Sequence, residues 1–157
     1  MKKQLLIIFC LAVVVFAAAC AKRSSTPPTN FGSPQRISSG EANASEPAIA
    51  TAKDGTAYVA WVEHRGKEAD VMLRRFKGTG EPLGDPVRIN PQAGQATAWR
   101  GDPPTVALAA DGTVCVGWTG RADPASGISP DIYLSASRDG GQSFAAPVKV
   151  NDDQKPA

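Results

Sequence analysis

Histidine is the scarcest reactive residue in this chain of 157 residues, with His64 its sole example. One imidazole cannot assemble a zinc cluster, and no serine partner for it is evident, so zinc and serine–histidine chemistry both lose their usual basis. The three cysteines are nearly as uninformative: Cys10 and Cys20 lie at the N-terminal end, leaving Cys115 alone in the rest. No internal disulfide can therefore form in the folded part, and Cys115, set in an apolar run, reads as a small core residue rather than a nucleophile. Neither sign of charge dominates, since 17 basic residues face 15 acidic ones for a net charge of +2. The basic residues are scattered, and the adjacent pair Arg74-Arg75 reads as a solvated strand end, so no nucleic-acid partner is expected. Also absent are a glycine loop to cradle phosphate and the spacing of a calcium loop, so no metal and no cofactor is expected.

A long apolar run occurs once, at the start. After Met1-Lys2-Lys3, residues Leu5 to Ala19 carry no charge. As a helix that run would span about 22 Å, short of the ~30 Å hydrocarbon core, which fits the apolar region of a signal peptide over residues 1–19. It ends in Ala17-Ala18-Ala19-Cys20. This resembles the lipobox of bacterial lipoproteins, with Ala17 where leucine is usual. The resemblance implies that Cys20 is acylated and that the protein is held on a membrane of the bacterial cell envelope. Each buried CH₂ of an acyl chain contributes about 0.8 kcal/mol to such anchoring. Ala21 in place of aspartate implies the outer membrane in a Gram-negative cell. A plain secretory signal cut nearby is the alternative. From Cys20 to Gly32 the chain is rich in Ser, Thr and Pro and reads as a flexible tether.

Beyond the tether the sequence repeats itself. PAIATAKDGTAYVAW from Pro47 matches PTVALAADGTVCVGW from Pro104, at an offset of 57 residues. DVMLRRF from Asp70 then matches DIYLSAS from Asp131, and PVRIN from Pro86 matches PVKVN from Pro147, both at an offset of 61. Three matched blocks in order signal a repeat architecture. Each copy divides into four short runs rich in Val, Ile, Tyr and Trp, at 47–52, 56–63, 70–76 and 86–90, then 104–109, 113–119, 131–137 and 147–151. Asp54-Gly55 and Asp111-Gly112 mark hairpin turns, where both positions tolerate positive φ. Tandem four-stranded units of this size predict an all-β fold of two four-stranded antiparallel β-propeller blades, 47–90 and 104–151, within a folded region 33–157. Trp61 and Trp118 hold equivalent strand positions and are expected in the core.

Between the third and fourth strands of the second copy lies SRDGGQSF, from Ser137 to Phe144. It resembles the Asp-box (BNR repeat) of the sialidase-like propellers. The physics of the spacing is that Asp139 accepts backbone N–H bonds across the turn, with Ser137 and Ser143 beside it. Gly141 takes a conformation closed to other residues, and Phe144 tucks its ring beneath. FKGTGEPL in the first copy retains only Gly80 and an apolar Leu83 of the same pattern. In sialidases this box is a structural turn away from the catalytic face. The opposite face would be built here from residues 39–46, 64–69, 91–103 and 120–130. Its candidate ligand residues are His64, Arg65, Trp99, Arg100, Arg121 and Asp123, with Glu46, Glu68 and Asp102 alongside. His64 reads as a polar loop residue, and Trp99 as the aromatic placed to stack on a sugar.

The sialidase constellation itself is not found. The family uses three arginines, an acid/base aspartate and a late-blade tyrosine with its glutamate, a departure from the usual two-carboxylate pair. The position of the first arginine falls on Ser45 and Asp102, with Arg100 two residues early, and Tyr58 and Tyr133 are strand residues. No catalytic residue is therefore assigned; Asp70 or Glu68 approximates the acid/base aspartate without an arginine clamp. The expected function is a surface-anchored, non-catalytic binding or scaffold module for a glycan, with an exo-sialidase-type glycoside hydrolase as the alternative and a remnant without a role as a third reading. SPQRIS, residues 33–38, resembles the fourth-strand blocks and is expected as an extra strand. That spare strand implies a fragment of a longer propeller, against a homotrimer of six blades as the competing arrangement. Two blades leave an incomplete ring, and an outer face exposing ~400 Å² of apolar surface would lack about 10 kcal/mol of burial. Self-association through uncovered faces is the expected consequence.

Overall fold

The computed structural model describes residues 33–38, 43–97, 99–121 and 130–152. The expected signal peptide, Cys20, the tether and Asp123 lie outside them. Two compact units divide the chain at Gln35 and Arg36, and the second holds all the secondary structure described below.

That unit consists of two four-stranded antiparallel sheets and, among the described residues, no helix. The first sheet is β1 (Asn43–Thr51), β2 (Ala57–Arg65), β3 (Glu68–Phe76) and β4 (Val87–Arg88), adjacent in chain order. The second repeats the order with β5 (Thr105–Leu108), β6 (Val114–Gly120), β7 (Asp131–Ser137) and β8 (Val148–Lys149). The strands follow the β-branched and aromatic runs, and the two sheets agree down to single bonds. At the first hairpin Asp54 Oδ1 accepts from Thr56 N at 2.9 Å, and at the equivalent turn Asp111 Oδ1 accepts from Thr113 N at 2.9 Å. Only the glycines of these turns have positive φ, +87° at Gly55 and +86° at Gly112. The aspartates therefore serve as acceptors, not as left-handed turn residues as the dipeptide suggested.

The fourth strands are shorter than expected because an asparagine ends each of them. Asn90 Oδ1 accepts the Val71 N–H at 2.8 Å while its amide donates to Asp70 at 2.7 Å. Asn151 repeats this on Ile132 N at 2.8 Å and on Asp131 at 3.0 Å. The matched Asp and Asn of the two blocks are thus one clamp used twice, with a side chain replacing the next rung of the ladder.

Residues 33–38 form no strand, which corrects the expectation for SPQRIS. Pro34 lacks an N–H, and the segment has no ladder partner among the described residues. The Ile37 carbonyl is instead met by Arg74 Nη1 at 3.4 Å. Arg74 also donates to the Gly84 carbonyl at 2.9 Å and lies over the Phe76 ring, so it does more than end a strand in solvent.

One core joins the sheets. From the first sheet Tyr58, Ala60, Val62, Val71, Leu73 and Ile89 point one way, and Val114, Val116 and Trp118 of the second meet them. Register explains the choice, since Ala60 pairs with Leu73 and Val62 with Val71, which places all four on one face. Trp61 alternates to the opposite face, where its indole N–H donates to Glu63 at 3.2 Å. It is buried like Trp118, but the two tryptophans, equivalent in the repeat, serve different faces of the stack. Cys115 is half-buried on the far face of the second sheet, not in the core as expected.

A candidate ligand site at one end of the sheets

The two ends of the stack differ in chemistry. At one end lie the Asp-Gly hairpins and the turn over residues 137–144. Asp139 Oδ1 accepts from Ser137 Oγ at 2.6 Å, Gln142 N at 2.9 Å and Ser143 N at 3.0 Å, and Oδ2 accepts from Ser143 Oγ at 2.5 Å. The hydroxyl bonds, then the backbone donors, hold its carboxyl well below the ordinary aspartate range. Gly141 N donates to Ser137 Oγ at 2.7 Å, with Gly141 at φ +84°, and Phe144 packs against the core. Both carboxylate oxygens of Asp139 are occupied inside the turn. This end is a brace, and it rests on the first sheet: a Cβ on Gly141 would come within 3.3 Å of Tyr58, Leu73 and Arg75.

The opposite end carries a linked row of polar and charged side chains. A bulge interrupts β1 there, with Ser45 opposite Val62 but Ala48 opposite Ala60. Pro47 cannot donate to a ladder, so the extra residue falls beside it, and Glu46 takes φ +51°, the sole positive φ on a non-glycine described residue. The bulge turns the Glu46 carboxylate onto His64, with Oε2 2.7 Å from Nε2. Ser45 Oγ donates to the same oxygen at 2.7 Å, and Arg100 Nη1 approaches Ser45 Oγ at 3.0 Å. Burial pushes the Glu46 carboxyl upward, but bonds from His64 and Ser45, His64 charge and a Gly101 N–H together hold it below the ordinary glutamate range. Strain of this kind, about 1–3 kcal/mol, persists only where the surroundings impose it.

Beside this row lies a second one. Arg65 donates to Asp70 at 2.7 Å and to Glu63 at 3.1 Å, two carboxylates that are almost fully buried. Asp70 also receives Asn90 and, at 2.9 Å, the Gly94 N–H, which anchors the loop between the sheets. That loop crosses from one sheet to the other: Ala96 N donates to Ala69 O at 3.0 Å, and Thr97 N to Thr119 O at 2.9 Å. Beyond the crossing the loop delivers Trp99, exposed, and Arg100. A small cleft next to it is lined by Gln95, Arg121 and the stacked pair Trp118 and Tyr133, whose centroids are 5.9 Å apart.

Of the residues expected on this end, Glu46, His64 and Arg100 are drawn into one chain of bonds, with Trp99 adjoining in sequence. Arg65 is committed to Glu63 and Asp70, and Arg121 lies at the cleft. His64 is a buried strand residue, not a loop residue, because β2 and β3 run on to a two-residue turn with Gly66 at φ +67°. Sequence reasoning passed over Glu63 and Asn90 and treated Ser45 only as a missing arginine. Arg100 reaches that serine across 55 residues of chain, a link no local pattern encodes. Asp70, considered as an acid/base, has both oxygens engaged, Oδ2 by Arg65 and Oδ1 by Asn90 and Gly94. Among the described residues no group of three or more His, Cys, Asp or Glu is placed to hold a metal ion.

No family model matches the chain, and no curated protein matches it. Among solved structures it is similar to a protein from Bacteroides ovatus provisionally assigned as a glycoside hydrolase. The two share 24% identity with a TM-score of 0.45, over 69% of this chain and 31% of the other. The chain thus spans less than a third of that protein's length, and a likeness of this size assigns no activity.

Proposed function

We propose that the protein is an exported lipoprotein, anchored in the cell envelope through acylated Cys20, whose two sheets are consecutive blades of a sialidase-like propeller with a non-catalytic glycan-binding end. The observation that carries the binding reading is the row His64–Glu46–Ser45–Arg100 beside the exposed Trp99. A sugar needs an aromatic face for its C–H surface and fixed donors and acceptors for its hydroxyls, and this end supplies the second from the strands and the first from the loop that carries Trp99. The strained bulge at Glu46 fixes the row, since its carboxylate holds three groups at once.

The same geometry supports binding over hydrolysis. Ser45 donates to Glu46 and not to His64, so the histidine does not activate the hydroxyl. Tyr58 lies at the braced end and Tyr133 is stacked on Trp118, so neither stands beside the row. A glycan array probed with the protein and with Trp99→Ala and Arg100→Ala variants tests the reading. Signals lost in both variants support it, and signals unchanged in both refute it. Turnover of a fluorogenic sialoside that falls with Arg100→Ala would instead favour the hydrolase. Incorporation of labelled palmitate that survives Cys20→Ser would refute the anchor.

A further inference from the structure

The segment that carries Trp99 and Arg100 is fixed at two points of different chemistry. Upstream, Thr97 N donates to the Thr119 carbonyl of β6 at 2.9 Å, and Trp99 N approaches Thr97 Oγ1 at 3.4 Å. No titrating group takes part in that anchor. Downstream, the segment is tied to β1 through Glu46. Its carboxylate accepts the Gly101 N–H directly. It also reaches Arg100 through Ser45 Oγ, which donates to Oε2 at 2.7 Å and accepts Arg100 Nη1 at 3.0 Å. Gly101 in turn meets the indole: at φ +108°, a Cβ added to it would lie 3.8 Å from Trp99 Cη2. One carboxylate thus sets both the aromatic ring and the guanidinium of this end.

The repeat shows that a blade folds without this arrangement. At the offset of 57, Glu46 becomes Pro103, Ser45 becomes Asp102 and His64 becomes Arg121. β5 and β6 pair without a register shift, from Thr105 opposite Gly117 to Leu108 opposite Val114. The first sheet instead adopts strained backbone, φ +51° at Glu46, and so aims a carboxylate at the loop. We propose that Glu46 is the positioning residue of this end: as a carboxylate it holds Trp99 and Arg100 together, and on taking a proton it releases their loop. The charged groups facing it are His64 from β2, whose Nε2 lies 2.7 Å from Oε2, and Arg100 from the loop, through Ser45. His64, Ser45 and Gly101 all donate to it, so an added proton must displace one of these donors. The carboxyl titrates below the ordinary glutamate range, so the latch is complete at neutral pH and opens as pH falls through that lower value. Given the glycan-binding reading, on which this role rests, recognition at this end is lost in acid.

Nuclear magnetic resonance on the labelled full chain reads the latch without a ligand, because one Gly101 α-proton points at the Trp99 ring. That contact should be present at about pH 7 and vanish as the parent is taken to about pH 3. In Glu46→Gln, whose amide brings a donor where the carboxylate had none, it should be missing already at neutral pH, with no further acid step. The Gly141–Tyr58 contact at the braced end should survive in both. A Gly101–Trp99 contact retained in Glu46→Gln, or an acid step that persists there, overturns the proposal. So does joint loss of the Gly141–Tyr58 contact, because Glu46 would then hold the fold and not the loop. Titration of the Glu46 carboxyl carbon in the parent needs no substitution: its midpoint must equal that of the Gly101–Trp99 contact, and a different midpoint is equally fatal. On a glycan array at neutral pH, signals lost in Trp99→Ala should be lost in Glu46→Gln too. Signals that only Trp99→Ala loses overturn the role of Glu46 alone, whereas signals that Trp99→Ala keeps sink the binding reading and leave the two midpoints to decide the latch.

Discussion

Truncating two equivalent leucines separates the covered face from the open one. Leu73 and Leu134 hold the same place in the repeat, but the first is fully buried and the second 39% exposed. Leu73→Ala removes a fully buried member of the core cluster shared by the two sheets and leaves a cavity there, which should cost about 3 kcal/mol. Leu134→Ala removes a side chain that already faces solvent in part and leaves no enclosed void, so about 1 kcal/mol is expected. Urea unfolding of both variants, followed by circular dichroism at protein concentrations low enough to keep single chains, gives the two differences directly. Equal costs would refute the reasoning, since they would mean that the two faces are buried alike or that the sheets do not stack.

Three further outcomes follow from single sites. Gly141→Ala should destabilise by about 1–3 kcal/mol, because alanine must hold φ +84° with its Cβ against Tyr58 and Leu73; unchanged urea midpoints would contradict this. Asn90→Ala leaves the buried Val71 N–H without its acceptor and should cost about 1–3 kcal/mol, with faster amide exchange at Val71 as the local readout. The Glu46 carboxyl is depressed in the folded state, so its contribution is complete above the ordinary glutamate range and is lost as pH falls through the lower folded value. The stability gap between the parent and Glu46→Gln should therefore narrow on going from about pH 6 to about pH 3, and a gap that widens with acid would contradict the assignment.

Much of the architecture was legible because its causes are local. β-branched runs between Asp-Gly turns specify strands, and a repeat specifies two of everything, so all eight strands overlap their expected runs; β7 coincides at 131–137, while β4 and β8 keep two residues each. The misses are non-local or depend on a partner. SPQRIS has the composition of a fourth strand, but composition supplies no edge for it to pair with. The Glu46 bulge arises because Pro47 cannot donate within a ladder whose register is set by β2. His64 looked like loop surface because polar residues near a turn are usually solvated; here a carboxylate 18 residues away lets it be buried. The site was therefore readable as a set of residues at one end, while the bonds that join them were not.

The candidate site depends on the first sheet lying against the second with the braced turns at one shared end. The Gly141 α-protons and the Tyr58 ring report that arrangement, since a Cβ on Gly141 would lie 3.3 Å from Tyr58 Cε1. In a labelled sample a strong nuclear Overhauser contact between them, with the Gly141 resonance shifted by the ring, is the expected result. Its absence, with both strands otherwise paired, would mean that the sheets do not stack in this way.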